Sequence, residues 1–216
     1  MVDVTRVLSK EEITAVLAWL HHPRRRGPNV AVNRTIFRLS CCCGLRVMEM
    51  VALNMGDVVL SGARPFIRIR KQATKGRHLP CPSNPSGKDF RQARKVPLWW
   101  SSSTLRDITA YKALRAAVAG SDLNAPFLVG VSQNAGRGLT TDGASKRWRS
   151  LMRTVLGAER ARDLSIHTGR HSFPSHATVG GRSLAEVMMA MGHANPATTA
   201  RYLHVLEAEN AADLFS

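Results

Sequence analysis

The chain has 216 residues, 44% of them hydrophobic, which suits one packed domain and excludes a disordered basic tail. Its 31 Lys and Arg against 15 Asp and Glu leave a formal net charge of +16, an excess that points to a polyanionic partner, nucleic acid first, because neutralised phosphates release counterions. No apolar run approaches the ~20 residues of a bilayer span, and the opening MVDVTRVLSKEE lacks the apolar core of a secretion signal.

Ser9-Lys10-Glu11-Glu12 is a capping box, so a helix is expected to begin after Ser9 and run to about Leu20. HHPRRRGP, from His21 to Pro28, reads as a basic turn. From Asn29 to Cys43 apolar residues recur at helical spacing, and Gly44 is a natural stop. The run Cys41-Cys42-Cys43 has no metal-ligand spacing and lies in an apolar stretch; with Cys81 it is read as reduced thiols in a cytoplasmic protein. A second helical run follows over Val47 to Asn54.

The period then changes. FIRIR, residues 66–70, alternates apolar and basic as a half-buried strand does. Ala73 to Arg94 is rich in Gly, Pro, Ser, Lys and Arg and predicts an extended hairpin loop. Lys95-Val96-Pro97-Leu98 would be the returning strand, with Pro97 marking a sheet edge. Further helices are expected over about 104–119, 142–156, 173–178, 183–190 and 196–207, Pro196 taking the first position of the last. The expected fold is mainly α with a small antiparallel β-sheet (α+β), a single domain over 1–216.

Four segments carry the chemistry. SIHTGRHSFPSHA, residues 165–177, gathers His167, Arg170, His171 and His176. His167 and His171 have the spacing of metal ligands on a helix, but no carboxylate falls between Ser165 and Arg182, and Arg170 would set a fixed positive charge beside the ion. A phosphate suits the set better, since a guanidinium fork takes two phosphate oxygens and a nearby imidazole donates to them or handles a proton. Gly44-Leu45-Arg46-Val47-Met48-Glu49 puts Arg46 at a helix start, with Glu49 one turn on to brace it. Lys75 stands in Thr74-Lys75-Gly76 after the strand. MGHANPATTARYLH, residues 191–204, holds His193 nine residues before Tyr202. Singly, each has a plainer reading: Arg46 and Glu49 as a surface pair, His193 as a helix-terminal cap, Tyr202 as a core edge.

In this order GLRVMEM, the strand with its TKG hairpin, HTGRHSF and MGHANPATTARYLH resemble the catalytic domain of the tyrosine recombinase (phage integrase) family, over nearly the whole chain. The resemblance implies the family's fold, that of the DNA breaking-rejoining enzymes, and a site-specific recombinase or integrase acting on double-stranded DNA without a cofactor or metal. It implies that Arg46 and Arg170 clamp the scissile phosphate, that His167 and His193 complete the cage, that Lys75 protonates the leaving 5′-oxygen, and that Tyr202 forms a 3′-phosphotyrosyl link. Glu49 would hold the site in shape. His171 belongs to the family's RH pair in a structural capacity, His204 is a supporting feature, and His176 has no assigned role.

The sequence departs from the family in three places. The loop holding Lys75 is long, and Lys88 is a rival for the catalytic lysine. Gly169 stands where a leucine is common, which predicts looser local packing. The family's N-terminal core-binding or arm-binding domain is not in this chain, so weak, strongly salt-dependent DNA binding is expected. The segment Leu206 to Ser216 would dock on a neighbouring subunit in a synaptic tetramer, as in the family. A type IB topoisomerase-like nicking-closing enzyme and a catalytically degenerate DNA-binding module remain the alternatives, while a metal-dependent phosphodiesterase lacks ligands.

Overall fold

A computed structural model describes residues 7–70, 93–131 and 135–192. In chain order these form α1 (Lys10–His21), α2 (Pro28–Phe37), α3 (Val47–Val51), β1 (Val58–Val59), β2 (Phe66–Ile69), β3 (Arg94–Pro97), α4 (Ser102–Ala119), α5 (Thr141–Leu156), α6 (Ile166–Val179) and α7 (Leu184–Met191). The fold is mainly helical with one small antiparallel sheet, in the order β1-β2-β3. Ile67 pairs with Val58 on one side and Val96 on the other, and Arg94 pairs with Ile69. β3 is therefore an edge, where the missing N–H of Pro97 is tolerated. The two-residue β1 is too short to leave an alternation in the sequence.

Local chemistry sets the helix ends. The Ser9 hydroxyl accepts from the Glu12 N–H at 3.2 Å, and the Glu12 carboxylate accepts from the Ser9 N–H at 2.9 Å, the expected capping box. Pro28 opens α2, which passes into a π-turn over Arg38–Cys42 before Gly44 ends it at φ +63°. α7 repeats the box with Ser183 and Glu186 and ends on left-handed Gly192.

The core is built on Phe37 stacked against Trp148 of α5, ring centroids 5.4 Å apart, with Leu39, Leu45, Met50 and Ile108 around them. Cys41 and Cys43 are buried free thiols, and burial raises both above the ordinary thiol range. Asp107 of α4 is a buried carboxylate that accepts from Arg38 Nε at 2.7 Å and lies 3.0 Å from His21 Nε2, tying α1, the π-turn and α4 together.

Two expectations are corrected. The helix predicted over 173–178 begins at Ile166, so the whole HTGRHSF stretch is helical despite Gly169 and Pro174. Gly169 does not loosen the packing. A Cβ there would lie 2.2 Å from Ser40 Oγ and 2.5 Å from Trp148, so α6 crosses the π-turn at a distance only glycine permits. Tertiary contact thus overrides the helix-breaking tendency. The helix expected over 196–207 lies outside the described residues.

Candidate active site

Arg46 precedes the first residue of α3. Its backbone N–H donates to Glu49 Oε2 at 2.8 Å, and its Nη1 donates to Oε1 at 3.1 Å. Glu49 thereby caps its own helix and braces the arginine that starts it. This is no ordinary surface pair: the Glu49 side chain is 8% exposed, whereas that of Arg46 keeps 36% in solvent. Gly44 makes the entry possible. Its φ is positive, and a Cβ there would lie 2.6 Å from the Phe173 ring.

Arg170, in the second turn of α6, is buried. Its Nη1 donates to the Gly44 carbonyl, its Nη2 donates to the Met191 carbonyl at 2.8 Å, and Nη1 lies 3.7 Å from Glu49 Oε2. One guanidinium therefore ties the turn before α3 to the C-terminus of α7, where unpaired helix carbonyls need donors. His167 lies one turn earlier on α6 and is exposed. His171 is held below the ordinary imidazole range, first by desolvation, then by the charges of Arg170 and His167. His176 has a structural explanation: its Nε2 donates to the Leu8 carbonyl at 2.9 Å, fastening the segment before α1 to α6.

Sequence reasoning missed Arg94. On β3 its Nη1 and Nη2 donate to Glu49 Oε1 and Oε2 at 2.9 and 2.8 Å, and its Nε donates to the Ala190 carbonyl at 2.7 Å. Its side chain is only 8% exposed. The signal was present in the strand's period: Arg94 is two residues before Val96, so both take the inward face.

Three guanidiniums thus converge on one buried carboxylate. Burial by itself would raise the Glu49 carboxyl. The paired hydrogen bonds and charge of Arg94, the Arg46 N–H and the charge of Arg170 outweigh it and hold the group at about 2. Glu49 is ionised throughout the physiological range, and the cluster around it keeps a surplus of fixed positive charge suited to an anion.

Of the residues singled out in the sequence, Arg46, Glu49 and Arg170 are brought together, with His167 on the same helix as Arg170. Lys75, its rival Lys88, His193, Tyr202 and the segment 206–216 lie outside the described residues. Among the described residues no group of three or more His, Cys, Asp or Glu side chains could hold a metal ion, and no helix is long and apolar enough to cross a membrane. A hollow of about 670 Å³ lies elsewhere, walled by the start of α2, by α4 and by residues near Val129, and it holds none of the motif residues.

A family model described as the phage integrase family matches residues 6–209. The chain belongs to the phage integrase family. Among curated relatives, this integrase-family chain is 25% identical over 198 residues to the tyrosine recombinase XerD of Staphylococcus saprophyticus, covering 92% of this chain and 58% of that protein. It is 32% identical over 181 residues to the tyrosine recombinase XerC of Herpetosiphon aurantiacus, covering 83% of this chain and 50% of that one. The chain therefore spans about half the length of these curated relatives. The fold matches the XerH site-specific recombinase solved in a post-cleavage complex with palindromic difH substrate, with a TM-score of 0.69 at 18% identity, covering 99% of this chain and 54% of that one.

Proposed function

We propose that this chain is the catalytic part of a site-specific DNA recombinase or integrase that cleaves and rejoins double-stranded DNA through a 3′-phosphotyrosyl intermediate. The observation that carries the reading is the cluster around Glu49. Two arginines from separate motifs, Arg46 and Arg170, meet on one carboxylate with positive charge in excess. A phosphodiester in the act of substitution needs fixed donors where charge develops on its non-bridging oxygens.

In this mechanism Arg46 and Arg170 hold the scissile phosphate, with His167 and His193 completing the cage. The Tyr202 oxygen attacks phosphorus as its phenol proton passes to an imidazole of the cage, and the bond to the 5′-oxygen breaks. Lys75 gives that oxygen its proton. The phosphotyrosyl ester keeps the bond energy, so a 5′-hydroxyl of a second strand reverses the step and rejoins the DNA. Neither nucleotide cofactor nor metal enters. The reading extends to a homo-oligomer on DNA, a synaptic tetramer in which the segment 206–216 docks on a neighbour, and to a DNA-associated cytoplasmic enzyme of a bacterium, phage or mobile element. Relatives named as XerD and XerC tyrosine recombinases, and a structural neighbour named in complex with a recombination substrate, support it.

The test is a covalent adduct. The protein is incubated in EDTA with nicked duplexes carrying candidate sites and run on a denaturing gel. An adduct that disappears with Tyr202→Phe is expected, whereas cleavage that requires metal and leaves no adduct refutes the reading. Binding to duplex DNA is expected to weaken by at least about tenfold between roughly 50 and 200 mM salt; a flat response contradicts the role given to the basic surface.

A further inference from the structure

We propose that Arg94 is a positioning residue for the phosphate clamp: it neutralises Glu49 so that this carboxylate orients Arg46 and Arg170 without drawing them off the substrate. The inference rests on the reading that Arg46 and Arg170 hold a phosphate.

Glu49 poses a problem that the clamp alone does not solve. An acid braces Arg46 through its backbone and side chain, and it also lies 3.7 Å from Arg170. A buried carboxylate at that distance competes with a phosphate for the same guanidiniums, and the competition is strong where water is excluded. Arg94 removes it. Its fork takes both oxygens of Glu49 at 2.9 and 2.8 Å, the planar two-point pairing that guanidinium makes with carboxylate. Its remaining Nε is fixed on the Ala190 carbonyl, and Gly192 packs against its stem, where an added Cβ would lie 3.0 Å from Arg94 Cδ. At 8% exposure the side chain is directed into the protein, and its neutralising role is fulfilled before any DNA arrives.

The position of Arg94 in the chain adds a second consequence. It begins β3, directly after the segment that holds Lys75 and Lys88, and it grips the last turn of α7, two residues before Gly192 and three before His193. One side chain therefore sets the sheet against the helix end from which the rest of the motif continues.

The experiment is a charge-compensation cycle on the 216-residue protein. Single-turnover adduct formation at Tyr202 is measured alongside DNA affinity for wild type, Arg94→Gln, Glu49→Gln, Arg94→Gln/Glu49→Gln and Arg94→Lys. Loss of Arg94 alone is expected to slow adduct formation by about 10- to 100-fold while DNA affinity changes less than about threefold. Neutralising Glu49 in the same chain is expected to recover about tenfold of that loss in the rate of folded, DNA-saturated protein, a readout that a change in stability alone does not move. Arg94→Lys, which keeps the charge and loses the fork, is expected to fall between wild type and Arg94→Gln. It carries the comparison if Arg94→Gln melts below the assay temperature. A wild-type rate in Arg94→Gln, or a double variant no faster than the single one, overturns the inference while leaving the functional reading intact. Absence of any adduct with wild type overturns both.

Discussion

Among the described residues two buried carboxylates, Asp107 and Glu49, each gather more than one arginine, and they do so to different ends. Asp107 holds Arg38 at 2.7 Å, with His21 at 3.0 Å and Arg34 at 4.0 Å. These partners come from α1, α2 and the π-turn, and Arg38 also reaches Thr104 of α4. The Asp107 group fastens helices that already share an apolar core. Glu49 holds Arg94, Arg46 and Arg170; Arg94 also donates to the Ala190 carbonyl, and Arg170 to those of Gly44 and Met191. Those carbonyls stand at chain turns and helix ends, not between packed helix faces. All three cations at Glu49 are permanent, and Arg46 keeps 36% of its side chain in solvent. A buried acid among arginines is thus no mark of a site. What sets Glu49 apart is that three permanent cations meet on it, against two at Asp107, and that they meet where chain segments end.

The largest effect that separates the two clusters is on stability. Asp107→Ala leaves the buried Arg38 guanidinium without a counter-charge and is expected to cost about 3–5 kcal/mol in urea denaturation. The folded fraction should retain its rate of adduct formation; a slowed chemical step in folded protein would place Asp107 in the site after all.

Acid titration reads the Glu49 cluster alone. The Glu49 carboxyl is lowered from its ordinary value of 4.5 to about 2. A depressed carboxyl contributes stability that is fully present above its unfolded value and is lost as pH falls toward its folded one. The contribution, about 3 kcal/mol, should therefore vanish between about pH 4.5 and 2. Urea midpoints measured at pH 6, 4 and 3 should show a shallower acid slope in Glu49→Gln than in wild type, and an unchanged slope contradicts the assignment.

A smaller effect concerns the scaffold that delivers Arg170. Gly169→Ala forces a methyl against Ser40 Oγ and the Trp148 ring and is expected to lower stability by about 1–3 kcal/mol. Thermal melting checks it. No loss would mean that α6 can rise from the π-turn without penalty.

The fold was readable where one local rule acts alone. The Ser9–Glu12 box, the strand FIRIR and the edge Pro97 stand where their chemistry placed them. The sequence reading failed where a long-range contact decides. Gly169 in place of a leucine predicts looser packing, yet Ser40 and Trp148, distant in sequence, need its missing side chain. His176 looks like a surplus imidazole until Leu8 supplies a carbonyl. In the site, Arg46, Glu49 and Arg170 were legible because motif order carries them. Arg94 was not, because its role exists only once β3, α3 and α7 meet, although its inward phase on the strand was already written in the alternation with Val96.

We propose that the Glu49 cluster holds a reacting phosphate and does not merely attract DNA. The direct measurement is single-turnover adduct formation and DNA affinity, side by side in EDTA, for Arg46→Ala and Arg170→Ala. Rates are expected to fall by about 10²- to 10³-fold with affinity within about threefold of wild type. A rate that falls only in proportion to affinity would contradict it.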